Sequence, residues 1–213
     1  MIHLVTAENR HLYQKEMQDQ FRVRHDIYVE ERGWDALRRP DRLERDAFDT
    51  DDAAYLLAIE NDRVVGGSRF TPTTKPHLLS EVFPHMAEVK GIPRAPDIME
   101  WTRMYVIKEA RGTMQGNGSL GQLWSGAIEY CLTEGLSAFT FIFEVWHFTR
   151  MHECRWKLRP LGLPAIIENN MWLAALVEID EDVLHGTRRF CGVPGSVLVR
   201  HGIAARDRLR LAS

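Results

Sequence analysis

The chain has 213 residues, 45% of them hydrophobic, and carries 27 Lys and Arg against 30 Asp and Glu for a net charge of −3. That length and apolar content predict one globular domain over residues 1–213, and the charge balance leaves no basic excess for nucleic acid. No apolar run approaches the roughly 20 residues that span a bilayer, no signal pattern opens the chain, and three cysteines without paired spacing fit a reducing compartment. A cytoplasmic protein with no membrane segment is expected.

Residues 7–32 place Leu12, Met17, Phe21, Val23, Ile27 and Tyr28 at roughly helical intervals, with Thr6 as cap and Gly33 as the end. Residues 34–52 are polar and loop-like; the run 38–52 mixes six acids with four arginines, a composition that usually marks a solvated loop. Residues 53–60 and 63–73 read as two strands joined at Asn61-Asp62. Five prolines between Pro72 and Pro96 make 74–97 irregular, with one short helix near residues 77–83. Residues 97–107 form a strand apolar on both faces. The Gly-rich stretch 111–121 leads into a helix through 123–136, then come a buried strand (137–146), a helix (147–156) and a final strand (171–179). This is an α+β or α/β order. The strand–helix–strand unit over 97–146 requires a parallel pair with a right-handed crossover, and ligands gather at the ends of such strands.

Several residues are awkward for the fold alone. Glu100 and Arg103 lie within an apolar strand, where unpaired ions are costly. Three apart on a regular strand they face opposite ways; a bulge brings them to one side. They are either a structural ion pair, with Arg69 sharing the carboxylate, or part of a network holding a polar ligand. Asp46 and Asp49 either bind a cationic substrate or are surface acids. Trp34, just past a helix that carries Arg24 and Tyr28, either staples the core or stacks on a ligand ring. His152-Glu153-Cys154 has no second ligand cluster beside it, so no metal site is expected.

The positions Arg24, Trp34, Glu44-Arg45-Asp46-Ala47-Phe48-Asp49, Gly66-Gly67-Ser68-Arg69-Phe70-Thr71-Pro72-Thr73, Phe83 and Glu100-Trp101-Thr102-Arg103 together resemble the signature of the LuxI-type autoinducer synthases over residues 24–106. The resemblance implies a GNAT-like acyltransferase fold, an α/β sandwich whose mixed, twisted sheet is split by a V-shaped cleft and flanked by helices. It implies S-adenosylmethionine and an acyl thioester as substrates, with no tightly bound cofactor. The amine of S-adenosylmethionine takes the acyl group, and its carboxylate then closes a lactone and expels methylthioadenosine. By the same resemblance Arg24, Tyr28, Trp34, Asp46, Asp49, Arg69, Phe83 and Arg103 bind S-adenosylmethionine. Glu100, Arg103 and Asp46 serve catalysis: Glu100, bridged to Arg69 or Arg103, forms the floor and takes the amine proton through water, with Asp46 as the rival base. The strand at 102–105 supplies a backbone N–H to the thioester oxygen. Tyr28 departs from the Phe that the family usually carries there. Trp34→Ala, Asp46→Asn and Arg69→Ala are each expected to lower turnover in a folded protein.

For the acyl donor, Gln115-Gly116-Asn117-Gly118-Ser119-Leu120-Gly121 either cradles the coenzyme A pyrophosphate at a helix N-terminus or is a Gly-rich hairpin. Arg150, Arg155, Lys157 and Arg159 form a docking face if the donor is acyl carrier protein. The C-terminal half is similar to the family's branch that uses acyl-CoA, including isovaleryl- and aryl-homoserine-lactone synthases, which favours acyl-CoA. Trp101, Phe141, Phe143 and Trp146 are expected to line the acyl tunnel, and their bulk favours a short, branched or aryl group. Side-chain alternation allows only half of a strand's residues to face it. Glu144 either pairs with Arg103 or a His, or marks the strand's end. Two rival readings remain at this stage: a GNAT-type N-acyltransferase acting on another amine, and a non-catalytic ligand-binding domain.

Overall fold

The computed structural model describes residues 1–112 and 117–203. Its strands are β1 (Ile2–Val5), β2 (Ala54–Glu60), β3 (Arg63–Pro72), β4 (Ile98–Val106), β5 (Ala138–Glu144), β6 (Lys157–Pro160), β7 (Ala165–Ile167), β8 (Asn170–Glu178) and β9 (Leu198–Val199). They make one sheet in the order β6-β8-β5-β4-β3-β2-β1-β9, with β7 added beside β8. The helices are α1 (Gln14–His25), α2 (Leu78–Glu81), α3 (Ser119–Glu134), α4 (Phe148–Glu153) and α5 (Glu181–Cys191).

Alternation along β2 decides the layers. Ala54, Leu56 and Ala58 face α3 and α5, packing with Leu123, Trp124 and Val183. Tyr55 and Leu57 face α1, against Met17 and Phe21. The β2–β3 hairpin turns at Asn61 and Asp62, both left-handed (φ 48° and 58°), as a tight two-residue turn requires. In β3, Gly66 and Gly67 admit no side chain. A Cβ there would lie 2.8 Å from the Tyr105 carbonyl oxygen and hydroxyl, respectively.

Two features of β4 open a cleft. It pairs in parallel with β5 only from Ile98 to Glu100, opposite Ala138 to Thr140, and the strands then part. Against β3, Arg69 sits opposite Thr102 and Gly67 opposite Tyr105, so Arg103 and Met104 together oppose Ser68. This is the bulge that the Glu100/Arg103 spacing called for, and Arg103 takes a left-handed φ of 53° there.

Other expectations need correction. The helix predicted over 7–32 is broken: a 3₁₀ turn (Arg10–Leu12), then α1, then a π-helical turn (Asp26–Glu31). Thr6 does not cap α1; its carbonyl accepts from the Asn9 and Arg10 amides, and Tyr13 precedes the helix. The strand at 171–179 is not final, since α5 and β9 follow it. α5 begins at Asp180, whose carboxylate accepts from the Val183 amide at 3.0 Å, and ends at left-handed Gly192. The parallel β4/β5 pair, the central hairpin and α3 follow the sequence reading. Among the described residues no helix is long and apolar enough to cross a membrane.

Candidate active site

The acid-rich run 38–52 is no solvated loop. Its carboxylates fold inward onto three arginines presented by three separate elements. Arg24, from α1, is fully buried. It donates from Nε to Glu44 Oε2 at 2.5 Å and from both Nη atoms to Asp49 at 2.8 and 3.0 Å. Arg69, from β3 and equally buried, clasps Asp46 through two bonds of 2.6 and 3.0 Å and reaches Asp49 at 2.9 Å. Arg103, from the bulge, meets Glu44 at 3.1 Å and Asp46 at 2.8 Å. Three guanidiniums thus balance three carboxylates. Burial works to raise the Asp49 carboxyl, but the charges of Arg24 and Arg69 overcome it and hold it below the usual carboxylate range. Burial likewise opposes ionisation of Asp46, and the bond to Arg69, with Arg103 beyond, leaves it lowered too. Paired, bidentate geometry is what makes such a buried lattice tolerable.

The lattice is the floor of a cavity of about 450 Å³ in the wedge between β4 and β5. Because the strands part, the cavity passes through the sheet. Trp101, Trp124, Phe141, Phe143 and Met151 line it from the core on the α3 side. Tyr28, Trp34, Phe83 and Trp172 line it from the opposite side, beside Asp46 and Arg103. Trp34 lies parallel to Tyr28, with ring centroids 5.1 Å apart, and 6.2 Å from Trp172. The Tyr28 hydroxyl donates to the Met104 carbonyl at 3.0 Å, the polar contact that the family's Phe lacks.

Of the residues expected to bind S-adenosylmethionine, Tyr28, Trp34, Asp46, Phe83 and Arg103 reach the wall, while Arg24, Asp49 and Arg69 stand behind it and hold Asp46 and Arg103. Glu100 is not bridged to Arg69 or Arg103. Both its oxygens turn to α2, accepting from the Leu78 amide at 2.8 Å and the Leu79 amide at 2.6 Å. Those two free amides of the first helical turn outcompete a guanidinium that the loop acids already satisfy. Burial raises the Glu100 pKa against the opposing influence of His77 and these amides. Trp146, expected in the acyl tunnel, is not in the cavity wall. β5 ends at Glu144, a 3₁₀ turn (Val145–His147) breaks the alternation, and Trp146 is 57% exposed, with the Arg150 guanidinium 4.7 Å over its ring. His147 takes the wall position instead. Glu144 pairs with Arg32 at 3.1 Å rather than with Arg103.

The sequence reading named Glu44 within the signature segment but gave it no role; it joins Arg24 to Arg103. The same reading missed Trp124, Met104, Met151 and Trp172. On the donor side, Gln115 and Gly116 lie outside the described residues. Ser119, at the start of α3, donates to Glu60 Oε1 at 2.5 Å. The basic group 150–159 is partly neutralised, Lys157 by Asp180 and Arg159 by Glu178. Trp156 is core packing, buried and bonded to Thr187 at 2.8 Å.

Comparison with known proteins agrees with this geometry. The sequence matches the autoinducer synthase family over residues 8–185. It is 46% identical over 198 residues to the isovaleryl-homoserine lactone synthase of Bradyrhizobium diazoefficiens, covering 92% of this chain and 88% of that protein. An acyl-homoserine-lactone synthase of Acinetobacter nosocomialis is 38% identical over 85 residues, 39% of this chain and 46% of that one. Among solved structures, the CoA-dependent acyl-homoserine lactone synthase BjaI, with SAM and isopentyl-CoA, superposes with a TM-score of 0.89 at 45% identity, covering 96% of this chain and 94% of that one. A Lactobacillus plantarum protein described as an N-acetyltransferase has a TM-score of 0.56 at 18% identity, covers 84% of this chain and 99% of its own, and shares the fold alone. The expected acyltransferase fold with its open mixed sheet is therefore the one present, and the chain belongs to the autoinducer synthase family as an acyltransferase of the acyl-homoserine-lactone synthase class.

Proposed function

We propose that this enzyme transfers a short, branched (isovaleryl-like) or aryl acyl group from acyl-CoA to the amine of S-adenosylmethionine, which then closes to the N-acyl-homoserine lactone and releases methylthioadenosine. The observation that carries this reading is the sheet-crossing cavity, with an ion lattice and stacking rings on one side and a tight aromatic wall on the other. Trp34 and Phe83 stack on the adenosine and shield the sulfonium. Arg103, held in a strained left-handed bulge by Glu44 and Asp46, orients the substrate carboxylate. Beyond Glu100 the amides of β4 that face β5 have no strand partner, and they are placed to donate to the thioester oxygen as charge develops. Two aligned substrates in one cleft gain the usual advantage of fixed proximity.

The proton acceptor we propose is Glu100, through water past Leu78. Asp46 is the weaker base, because its two guanidiniums stabilise the ionised form; burial does the opposite at Glu100 and strengthens it as a base. Glu100→Gln is expected to lower kcat by roughly 10²–10³-fold and to change the acid limb of the kcat–pH profile. If kcat and its profile survive while Tm falls, Glu100 is only the cap of α2. Partial neutralisation of the basic group at 150–159 favours coenzyme A over carrier protein as donor. Three buried free thiols fit a reducing compartment, and we place the enzyme in the cytoplasm.

The test is to mix protein, S-adenosylmethionine and isovaleryl-CoA and to follow free thiol and methylthioadenosine together. Thiol release with other amines only would make it a general N-acyltransferase, and binding without turnover a sensor domain. In Trp34→Ala, loss of a stacking platform worth about 1–3 kcal/mol per base is expected to raise KM for S-adenosylmethionine by roughly 10- to 100-fold. KM for acyl-CoA should stay nearly unchanged.

A further inference from the structure

We propose that Glu168 is a specificity residue for the cationic nucleotide, supplying the one uncompensated charge among the described residues of the cavity wall from a strained turn at its mouth. This rests on the reading of the cavity as the S-adenosylmethionine site.

The charged side chains of the wall are Arg32, Asp46, Arg103, Glu144 and Glu168. Asp46 and Arg103 belong to the lattice, whose three guanidiniums and three carboxylates cancel. Arg32 and Glu144 cancel each other across the cleft at 3.1 Å. His147 is neutral at pH 7, because burial lowers its pKa to about 4. Glu168 is exposed, and it makes no hydrogen bond or ion pair among the described residues. S-adenosylmethionine with a protonated amine carries one net positive charge, from sulfonium, ammonium and carboxylate. A balanced lattice orients such a molecule but does not attract it; Glu168 does.

The backbone gives an independent reason to look here. Ile167 pairs with Asn170 in the β7–β8 hairpin, so Glu168 and Asn169 form a two-residue turn, both left-handed (φ 47° and 64°). Such turns favour Asn, Asp and Gly, and Asn169 conforms. Glutamate in this region is disfavoured by the contact of its Cβ with the following carbonyl oxygen. Ile167 and Trp172, from the same hairpin, line the cavity with it.

The experiment measures binding of S-adenosylmethionine and of S-adenosylhomocysteine, its neutral counterpart without the sulfonium methyl, to the wild type and to Glu168→Gln, Glu168→Asp and Glu168→Asn. At low salt, Glu168→Gln is expected to weaken S-adenosylmethionine binding roughly three- to tenfold and S-adenosylhomocysteine binding by less than about twofold. Glu168→Asp should restore most of the preference. Glu168→Asn should lose it while raising Tm by about 2–4 °C, the shift expected from relieving the turn. The preference should shrink in 1 M salt. A Glu168→Gln protein with wild-type preference overturns the role of Glu168 alone. Wild-type protein that binds neither nucleotide overturns the site itself, and the role of Glu168 with it.

Discussion

Arg69→Ala is expected to cost the folded state about 3–5 kcal/mol, the usual penalty for stripping one partner from a buried ion network, and to abolish measurable turnover. The sequence alone predicted lost turnover in a protein that stays folded, because there Arg69 had only a shared carboxylate to lose. In the structure it neutralises Asp46 through two bonds and Asp49 through a third, in a site where its own side chain is fully buried. Against a typical total of about 5–15 kcal/mol, that loss leaves the variant marginal at best. The pH dependence follows from the signs. Both acids titrate below their ordinary range in the folded protein, so their stabilisation is complete above the unfolded aspartate value of about 3.9. It is lost as pH falls through the folded values. Removing Arg69 takes away part of what opposes burial and raises both, with Arg24 and Arg103 still acting on them, so the acid-unfolding midpoint should move to higher pH. Arg69→Lys keeps the charge but not the fork; it should recover stability before it recovers KM. Urea titrations at pH 7 and at pH 5 measure the stability, an acid titration followed by circular dichroism gives the midpoint, and steady-state kinetics gives KM. An Arg69→Ala protein within about 0.5 kcal/mol of wild type at both would contradict a lattice that holds the floor together.

The residues that carry charge chemistry were legible because burying them without purpose is expensive. Glu100 and Arg103 in an apolar strand demanded a bulge, and the bulge is there. Which acid meets which arginine was not legible. Spacing along a strand does not show that two amides of α2, more than twenty residues earlier, present donors to Glu100, nor that a loop composition normally read as solvated folds inward. Trp146 misled for a local reason: alternation was extended two residues past the true end of β5, and one 3₁₀ turn exchanges Trp146 for His147. β1 and β9 are short and pair with each other in parallel from opposite ends of the chain, a non-local pairing that no window of sequence reports. α5 was different, since its Asp180 cap and Gly192 stop are ordinary signals that the reading passed over.

The aromatic wall makes the last prediction. Phe143 lies nearly parallel to Phe141, ring centroids 4.7 Å apart, and is buried with it where β5 has left β4; Phe141 still touches Trp101, ring centroids 6.3 Å apart, while Phe143 lines the cavity beyond that contact. Its ring lines the cavity, so Phe143→Ala is expected to lengthen the pocket. Longer chains then bury methylenes that the wild type excludes, each worth about 1–3 kcal/mol in a fitted apolar pocket, while a branched five-carbon group loses its contact with the ring. The ratio of kcat/KM for octanoyl-CoA to that for isovaleryl-CoA is expected to rise roughly 10- to 100-fold. Stability should fall by about 3 kcal/mol, the lower end for a truncated core phenylalanine, because one side of the ring already faces empty volume. Trp146→Ala is the matched control: exposed and outside the wall, it should move the ratio by less than about twofold, as surface substitutions usually do. A chain-length shift in Trp146→Ala with none in Phe143→Ala would mean that the acyl group runs over the outer surface of the turn at Val145–His147 and not through the gap between β4 and β5.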